Sequence, residues 1–350
     1  MIERPDLSDA AIGAALRRHY NIAVRDIEFL PIGNDSNAWA FRVQAEDDIP
    51  YFLKVRRGAI NTPSLAVPHH LHAQGIEQVV APLLSGSGQL WHRLDEFGLI
   101  LYPFIEGHSV IHTGMADDHW VELGSVLKRI HTGALTPALA GQLQRETFAP
   151  KWLDFVRQWQ TQGVQASQDP FARELASFWQ QKRAEIGYLL ARTDALARAQ
   201  LDSPPPFVLC HADIHTANLL LDAEDRLHIV DWDETVLAPK ERDLMFVTGR
   251  GIGFSVGPKE ESLFLRGYGE TALDAGTLAC YRYGWAIEEI GDYSARLLGL
   301  LDGGDETKQA ARHFLAQVFG PGGVVELAYR SDPANQPSAT GNLQHPRSFI

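Results

Sequence analysis

Three polar side chains, Asp213, Asn218 and Asp231, stand at the ends of apolar segments in the second half of the chain. Asp213 and Asn218 follow the apolar residues 207–210, and Asp231 ends the apolar residues 227–230. Carboxylate and amide oxygens on rigid supports are the ligands that magnesium prefers. An aspartate beside such a metal can orient a hydroxyl group or accept its proton. The pattern predicts phosphoryl transfer, in which positioning and charge neutralisation provide most of the catalysis.

The order of these residues makes the prediction more specific. A His-x-Asp sequence, four further residues, an asparagine and then an apolar strand that ends in aspartate is the order of a kinase catalytic loop and its metal-binding aspartate. Each residue alone is typical of an ordinary turn. Since strands are predicted on both sides, the combination favours a catalytic loop with Asp213 and Asn218 as catalytic residues. We expect His211 to hold this loop by hydrogen bonds rather than to act as a base.

A lysine inside the apolar segment 51–55, Lys54, is the candidate for binding phosphate. A lysine on a strand can also serve only to protect a sheet edge from aggregation. The downstream motif favours a lysine that binds the α- and β-phosphates. Protein kinases place a glutamate opposite this lysine, but residues 59–74 contain no acid. The partner of Lys54 is therefore either a more distant acid, such as Glu77, or the nucleotide alone.

Two further segments are candidates for the nucleotide site. Residues 32–38 lie between two predicted strands and contain one glycine, and a loop here could cover the phosphates. Its candidate phosphate donors are Ser36 and Asn37, together with nearby backbone N–H groups. Residues 99–105 form an apolar, extended segment that can serve both as a core strand and as a hinge against adenine. Its candidate nucleotide-binding residues are Tyr102, Phe104 and Ile105.

The elements that must position these residues change in type along the chain. Short segments rich in Val, Ile, Phe, Tyr and Leu predict an antiparallel sheet at 27–32, 38–44, 51–56, 79–84, 88–92 and 98–102. A helix at 6–20, with Ser8 as its cap, precedes this sheet, and a helical segment at 61–75 interrupts it. Later residues show mostly helical spacing. We predict an α+β, two-lobed fold with an N-lobe at 1–102, a larger helical C-lobe at 103–330 and a flexible tail at 331–350.

Composition narrows the classes of function. The chain has 350 residues and a formal net charge of −13, so a basic groove for nucleic acid is not expected. An acidic surface suits a cationic small substrate, although it also simply keeps a protein in solution. Two cysteines support neither a disulfide framework nor a cysteine-based metal site. The charged first residues do not resemble a signal peptide, and the apolar runs are too short for a membrane span. We expect a cytoplasmic protein that is a monomer or homodimer.

Four segments resemble the aminoglycoside phosphotransferase family, whose fold is protein-kinase-like: YPFI at 102–105, VLCHADIHTAN at 208–218, IVDWDE at 229–234 and LAPKERDLMF at 237–246. The resemblance extends over about residues 6–327. It implies that Asp213 is the catalytic base and that Asn218 and Asp231 bind magnesium. It also implies that Lys54 binds phosphate and that residues 102–105 hold the adenine of ATP, with GTP as a possible alternative. The chain departs from the family near Thr62, where the acidic partner of the lysine is expected.

The same resemblance implies an O-phosphotransferase that modifies a hydroxyl group of a cationic aminocyclitol or aminoglycoside antibiotic, with spectinomycin as the expected substrate. Such a substrate needs carboxylates near its acceptor hydroxyl. The candidates are Asp233, Glu234, Glu288 and Asp292. The last two are four residues apart and share one face of a predicted helix, which could equally be a solvated acidic face.

Two other functions stay open at this point. One is a metabolic kinase that acts on choline, homoserine or a sugar, because fold alone does not separate substrates. The other is a nucleotide-binding scaffold with weak catalysis, which the missing acid near Thr62 supports. A protein kinase is disfavoured, since Trp232 and Asp233 follow Asp231 in place of Phe-Gly.

Overall fold

The computed structural model of this chain describes residues 3–33, 35, 37–163, 168–249, 256–301 and 303–336. Its residues form two compact units. The first unit comprises Met1–Thr147, Pro205–Thr271 and Ala295–Ala311, and the second comprises Phe148–Pro204, Ala272–Ser294 and Arg312–Ile350. The lobe boundary after residue 102 and the flexible tail from residue 331 stay predictions.

Strands and helices are segregated along the chain, as an α+β fold requires. The strands are β1 (Val24–Leu30), β2 (Ala38–Ala45), β3 (Pro50–Arg57), β4 (His92–Leu94), β5 (Phe97–Pro103), β6 (Gly107–Ser109), β7 (Val208–Cys210), β8 (Leu219–Asp222), β9 (Leu227–Ile229) and β10 (Val236–Ala238). The helices are α1 (Asp9–Tyr20), α2 (Thr62–Ala73), α3 (Val110–Thr113), α4 (Asp117–Thr132), α5 (Pro137–Ala140), α6 (Leu153–Gln162), α7 (Pro170–Asp202), α8 (Glu241–Leu244), α9 (Pro258–Tyr268), α10 (Ala275–Leu297), α11 (Asp305–Val318) and α12 (Val324–Ser331). Short 3₁₀ turns lie at Thr216–Asn218 and Pro333–Asn335.

A five-stranded antiparallel sheet in the order β1-β2-β3-β5-β4 carries Lys54 on its central strand β3. Successive side chains of a strand point to opposite faces. On one face, Leu53 and Val55 are fully buried in a core that includes Ile12 and Leu16 of α1. Lys54 consequently projects from the opposite face, where the pairing register places it between Ala40 of β2 and Ile100 of β5.

The predicted strand at 79–84 is wrong, because the backbone hydrogen bonds of this segment go to two different sheets. The N–H of Val80 donates to the carbonyl of Ile229 at 3.1 Å, whereas the N–H of Leu83 donates to Leu101 at 2.7 Å. Pro82, between them, has no N–H to contribute. The strand predicted at 88–92 is also mostly wrong, since only His92–Leu94 forms β4. The helix predicted at 61–75 is confirmed as α2, and that at 6–20 as α1, where Ser8 accepts the N–H of Ala11.

The strands around the catalytic segment belong to two small sheets rather than one. We expected residues 218–221 to pair between 207–210 and 227–231. Instead β8 pairs with β9 on one side and with β6 on the other, and β7 pairs with β10. The loop between β7 and β8 therefore crosses from one sheet to another. Gly107 permits the close approach of β6, because a Cβ there would lie 2.0 Å from the carbonyl oxygen of Leu221.

Helices α4 and α9 of the first unit cross at very short distance through two glycines. A Cβ at Gly124 of α4 would lie 2.1 Å from the carbonyl oxygen of Phe264. A Cβ at Gly267 of α9 would lie 1.8 Å from the carbonyl oxygen of Val121. Since real Cβ atoms do not approach backbone atoms so closely, neither position accepts a larger residue without separating the helices.

The second unit is helical and has its own buried ion pair. Asp332, after α12, is fully buried and accepts hydrogen bonds from Arg192 at 2.6 and 2.7 Å and from the hydroxyl of Tyr283 at 3.2 Å. Helix α10 approaches the residues before α6 closely, since a Cβ at Gly291 would lie 2.2 Å from Trp152. Among the described residues, no helix is long and apolar enough to cross a membrane.

We predict that Gly267→Ala lowers the free energy of unfolding by about 1–3 kcal/mol, which is the usual cost of overpacking a tight contact. Urea unfolding followed by circular dichroism measures this change. Gly304→Ala is the matched control, because nothing lies within 4 Å of a Cβ built at that glycine. Equal stability of the Gly267→Ala variant and this control would contradict the close helix crossing.

Candidate active site

The loop that carries Asp213 is fixed by a buried carboxylate beneath it. Asp243, after β10, has no exposure to solvent, and its two oxygens accept the backbone N–H groups of His211 at 3.0 Å and Ala212 at 2.6 Å. Ala212 has a φ of 70°, a left-handed conformation that is uncommon for a residue other than glycine. The hydrogen bonds to Asp243 hold this conformation directly before Asp213. Asp243 was not singled out from the sequence as a functional residue, because its only local signal was its place in the segment 237–246.

Asp243 is itself held by a chain of buried polar groups. Nε2 of His131 lies 3.0 Å from a carboxylate oxygen of Asp243, and its Nδ1 lies 2.7 Å from the hydroxyl of Tyr268. Burial works against the charge of Asp243, but the hydrogen bond and charge of His131 and the N–H of Ala212 keep its pKa below the usual range. The glycine crossing of α4 and α9 therefore has a direct consequence, because it brings His131 and Tyr268 together.

The side chains of His131, Cys210 and Asp243 lie close enough together for a metal, with potential ligand atoms within 4.8 Å of one another. Their chemistry does not suit a cation. Burial raises the pKa of the Cys210 thiol well above its usual value, and the thiol lies within hydrogen-bonding distance of the carbonyls of Ala238 and Pro239. Both Asp243 oxygens already accept hydrogen bonds. We conclude that these three side chains support the loop that carries Asp213.

Asp213 and Asn218 meet as the sequence predicts. Nδ2 of Asn218 donates to the backbone carbonyl of Asp213 at 2.8 Å and to its carboxylate at 3.0 Å. Nε2 of His215 lies 3.4 Å from the other carboxylate oxygen. Burial lowers the pKa of His215, but the hydrogen bond and charge of Asp213, with the charge of Asp231, raise it overall. His215 was not among the predicted site residues.

His211 supports the loop as expected. It is fully buried, its Nε2 contacts the carbonyl of Val230 at 3.0 Å, and its Nδ1 accepts the N–H of Asp213 at 3.2 Å. The N–H of Val230 donates in turn to the carbonyl of Asn218 at 3.0 Å. These bonds place Asp231, the next residue, beside the loop. Asp231 has a φ of 61°, so the chain turns sharply directly after the strand segment.

Lys54 bridges the five-stranded sheet and the acidic segment. Its Nζ lies 3.1 Å from a carboxylate oxygen of Asp231 and 2.8 Å from one of Asp233. Burial lowers the pKa of Lys54, but the two carboxylates raise it overall. Burial works against the charge of Asp231 too, yet the nearby Lys54 keeps its pKa below the usual value. Of the two expectations for Lys54, a more distant acid agrees with this pairing, but the acids are Asp231 and Asp233 rather than Glu77.

Arg56 is a functional candidate that the sequence did not reveal. It lies two residues after Lys54 and projects from the same face of β3. Its NH1 contacts the same oxygen of Asp233 at 2.8 Å and the carboxylate of Asp35 at 3.1 Å. Strand alternation next to Lys54 was the signal that could have found it. Asp233, predicted to bind substrate, thus pairs with two cations of the sheet, and its substrate role stays a prediction.

The structure describes most of the two segments, 32–38 and 99–105, that were predicted to bind the nucleotide. Tyr102 pairs in register with Phe52, their rings 6.2 Å apart, on the face that carries Lys54. Burial, with the charges of Asp233 and Asp231, raises the pKa of the Tyr102 hydroxyl. Phe104 lies 4.7 Å from the guanidinium of Arg42, and Ile105 follows it partly buried. Asn37 is exposed, and its N–H donates to Asp35 at 2.9 Å, whereas Ser36 lies outside the described residues.

The remaining acidic candidates lie elsewhere. Glu234 is exposed at the end of the acidic segment. Glu288 and Asp292 lie on α10 within the second unit, and Glu288 accepts the backbone N–H of Lys151 at 3.3 Å. Between them, Glu289 accepts a hydrogen bond from Nε1 of Trp285 at 2.8 Å. Burial and the charges of Asp292 and Glu288 outweigh this bond and raise the pKa of Glu289 to about 7. Glu289 was not among the predicted residues, because the sequence of an acidic helix does not show which of its carboxylates is buried.

Comparison with known protein families shows which family the chain belongs to. Residues 26–282 match the model of the phosphotransferase enzyme family, and these residues include Lys54, Asp213, Asn218 and Asp231. The chain belongs to this family. It is a small-molecule phosphotransferase, and the family's kinase-like fold accounts for its α+β architecture and its antiparallel sheet.

Individual members of the family are similar over most of the chain. Spectinomycin phosphotransferase APH(9)-Ia, in a crystal structure with ADP and spectinomycin, is 32% identical and superimposes with a TM-score of 0.84 over 93% of this chain and 99% of that chain. Protein StrN of Streptomyces griseus is 25% identical over 78% of this chain and 80% of its own length. Amicoumacin kinase hAmiN, with AMP-PNP and Ca²⁺, has the same fold at 16% identity, a TM-score of 0.60, and coverage of 89% of this chain and 93% of that chain. The two solved structures among these relatives contain nucleotides.

We predict that Glu289→Gln stabilises the protein at alkaline pH and leaves its stability unchanged in acid. Because the pKa of Glu289 is raised from its usual value of 4.5 to about 7, folding favours its protonated form. The free energy of unfolding of the wild type therefore falls as pH rises from about 4.5 to 7, because Glu289 loses its proton more readily in the unfolded state. Above this range the wild type carries the full cost of a buried charge. Glutamine keeps the shape and the acceptor for Trp285 without the charge. We expect a gain on the order of 1–3 kcal/mol at pH 8.5.

Urea unfolding of both proteins between pH 5 and 9 measures this difference. Glu174→Gln, an exposed glutamate of α7, is the matched control and should show no such pH dependence. A stability difference that stays constant from pH 5 to pH 9 would contradict the raised pKa of Glu289.

Proposed function

We propose that this protein is a magnesium- and ATP-dependent O-phosphotransferase that modifies a hydroxyl group of a cationic aminocyclitol, most specifically spectinomycin, in the cytoplasm, and thereby confers resistance. The observation that carries the chemistry is the convergence of Lys54 on Asp231, directly beside the hydrogen-bonded pair of Asp213 and Asn218. A sheet lysine, a metal-binding carboxylate and a base with an asparagine partner are the parts that phosphoryl transfer requires.

Asp213 is the proposed base. Its carboxylate is oriented by Asn218 on one oxygen and lies near His215 on the other, so its position is fixed before any substrate arrives. Preorganisation of this kind lowers the cost of placing an acceptor hydroxyl in line with a phosphate.

Asn218 and Asp231 are the proposed magnesium ligands. A carboxylate oxygen and an amide oxygen are hard donors that suit this ion, and the bond between Asn218 and Val230 holds the two residues next to each other. The Asp231 carboxylate is 48% exposed, so a cation can reach it from solvent. Magnesium neutralises charge on the transferred phosphoryl group when bound. This chain's own residues fix where that charge is neutralised.

The nucleotide is proposed to lie along the face of β3 that carries Lys54. Lys54 would bind the α- and β-phosphates, and the backbone of residues 102–105 would bind the adenine edge. Phe52, Ile100 and Tyr102 form an apolar surface on this face, suited to cover a base. Exposed Asn37, with Ser36, would contact phosphate oxygens. ATP is the proposed donor, and GTP is the alternative.

The substrate is proposed from the resemblance to spectinomycin phosphotransferase, which binds ADP and spectinomycin in its crystal structure. The net charge of −13 is compatible with a cationic substrate. Glu234, Glu288 and Asp292 stay predicted substrate residues. A metabolic kinase is the alternative. A catalytically weak scaffold loses its only support, because Lys54 does have acidic partners.

A coupled assay with magnesium and ATP tests the substrate. We expect turnover with spectinomycin and none with kanamycin, choline or homoserine, because the similarity to spectinomycin phosphotransferase spans nearly the whole chain. A protein that phosphorylates choline or homoserine instead would retain the kinase chemistry and overturn the antibiotic assignment. Mass spectrometry of the product, showing one added phosphoryl group, distinguishes transfer from ATP hydrolysis.

We predict that Asp213→Ala lowers kcat by about 10²–10⁴-fold, the usual contribution of a positioned base. Nucleotide binding, measured by calorimetry with a non-hydrolysable ATP analogue, should change little because Asp213 is assigned to the acceptor side. Asp26→Asn, an exposed aspartate on β1, is the matched control. Near-normal turnover of a folded Asp213→Ala variant would remove Asp213 from the mechanism.

A further inference from the structure

One carboxylate oxygen in this site is shared by two cations. Oδ2 of Asp233 lies 2.8 Å from Nζ of Lys54 and 2.8 Å from NH1 of Arg56. The side chains of Asp233 and Arg56 are each 29% exposed and that of Lys54 is 16% exposed. These ion pairs are thus largely withdrawn from solvent, where electrostatic interactions are less screened than at the surface.

The strand itself brings the two cations together. Lys54 and Arg56 are two residues apart on β3, so both side chains leave the same face about 7 Å apart along the strand. Arg56 is also held from its other side by Asp35, at 3.1 Å. The second oxygen of Asp35 accepts the N–H of Asn37 at 2.9 Å, so this carboxylate is oriented by its own backbone. Arg56 therefore has two fixed acidic partners, neither of which needs Lys54.

Lys54 has a different constraint. In the proposed function it binds the phosphates of a nucleotide, and its Nζ then shares or gives up its bonds to Asp231 and Asp233. Removing one partner from a poorly solvated ion pair leaves an uncompensated charge, which is costly. Asp231 directly follows Val230, whose N–H donates to the carbonyl of the proposed magnesium ligand Asn218, and in the proposed function magnesium would neutralise its carboxylate. For Asp233 among the described residues, Arg56 is the cation that remains in contact.

We propose that Arg56 is a positioning residue that keeps Asp233 neutralised when Lys54 transfers to the phosphates of a nucleoside triphosphate. This inference rests on the proposed function. Without Arg56, Asp233 would hold Lys54 more tightly, and nucleotide would have to compete for it. The planar guanidinium suits this role, because its several donors can hold two carboxylates at once. A lysine at this position would keep the positive charge, but its compact ammonium group lacks the planar set of donors that the guanidinium offers to two carboxylates.

A double-mutant cycle tests the proposal by the affinity for a magnesium complex of a non-hydrolysable ATP analogue, measured by calorimetry. We expect Arg56→Ala to weaken binding by about 10-fold, which corresponds to about 1.4 kcal/mol. In the background of Asp233→Asn, where the carboxylate shared by Lys54 and Arg56 is absent, the same substitution should weaken binding by no more than about 2-fold. A purely structural role of Arg56 would not be rescued by removing Asp233.

Two further variants keep the test decisive. Arg56→Lys keeps the charge and the fold, and we expect about a 3-fold loss of affinity, between those of wild type and Arg56→Ala. Arg57→Ala is the matched control, because Arg57 projects from the other face of β3 against Trp39 and Phe97. Its affinity should equal that of the wild type. In the phosphotransfer assay, Arg56→Ala should raise the KM for ATP more than it lowers kcat.

The outcomes separate this inference from the proposed function. Binding by Arg56→Ala within 2-fold of wild type overturns the inference alone. An equal loss with and without Asp233 also overturns it, since Arg56 would then bind the phosphates directly. A wild-type protein that binds no ATP analogue overturns the proposed function, and the inference with it.

Discussion

A carboxylate without access to solvent has to satisfy all its hydrogen-bonding capacity inside the protein, and Asp243 is in this position. Its two oxygens take the backbone N–H groups of His211 and Ala212, and His131 supplies a further contact. Because losing any of these bonds would leave a buried charge poorly compensated, the loop before Asp213 has little freedom. The left-handed Ala212, the direction of Asp213 and the hydrogen bond to Asn218 all follow from this anchor.

Because Asp243 is buried, its hydrogen-bond partners depend on how the surrounding helices pack. Tyr268 contacts His131, and His131 contacts Asp243, across helices α4 and α9, which cross at the distance that Gly124 and Gly267 allow. This helix contact therefore supports the loop that carries Asp213. The same first unit contains the five-stranded sheet with Lys54, so Lys54 and this loop belong to one compact unit.

Electrostatics at Lys54 follow a different principle. The site contains more carboxylates than cations, and each cation is shared: Lys54 between Asp231 and Asp233, and Arg56 between Asp233 and Asp35. Shared partners make the loss of any one ion pair less costly, since another remains. The proposed function would require Lys54 to exchange carboxylate oxygens for phosphate oxygens, and shared partners suit such an exchange. Family membership alone does not provide this detail, because Arg56 lies outside the kinase motifs.

The sequence by itself determined the reaction class and the motif that supports it, because Asp213, Asn218 and Asp231 lie within one short segment whose strands are visible as apolar runs. It also predicted the helices α1 and α2, since the signals that start and stop a helix are local. It did not predict that 79–84 divides its hydrogen bonds between two sheets or that β8 pairs with β6, since pairing is a property of distant segments. Only the tertiary structure decided the partners of Lys54, which lie 177 and 179 positions away. It also decided the burial of Glu289 and Asp243. An acidic residue has the same letter whether it is solvated or buried, and only packing around it determines its charge and its role.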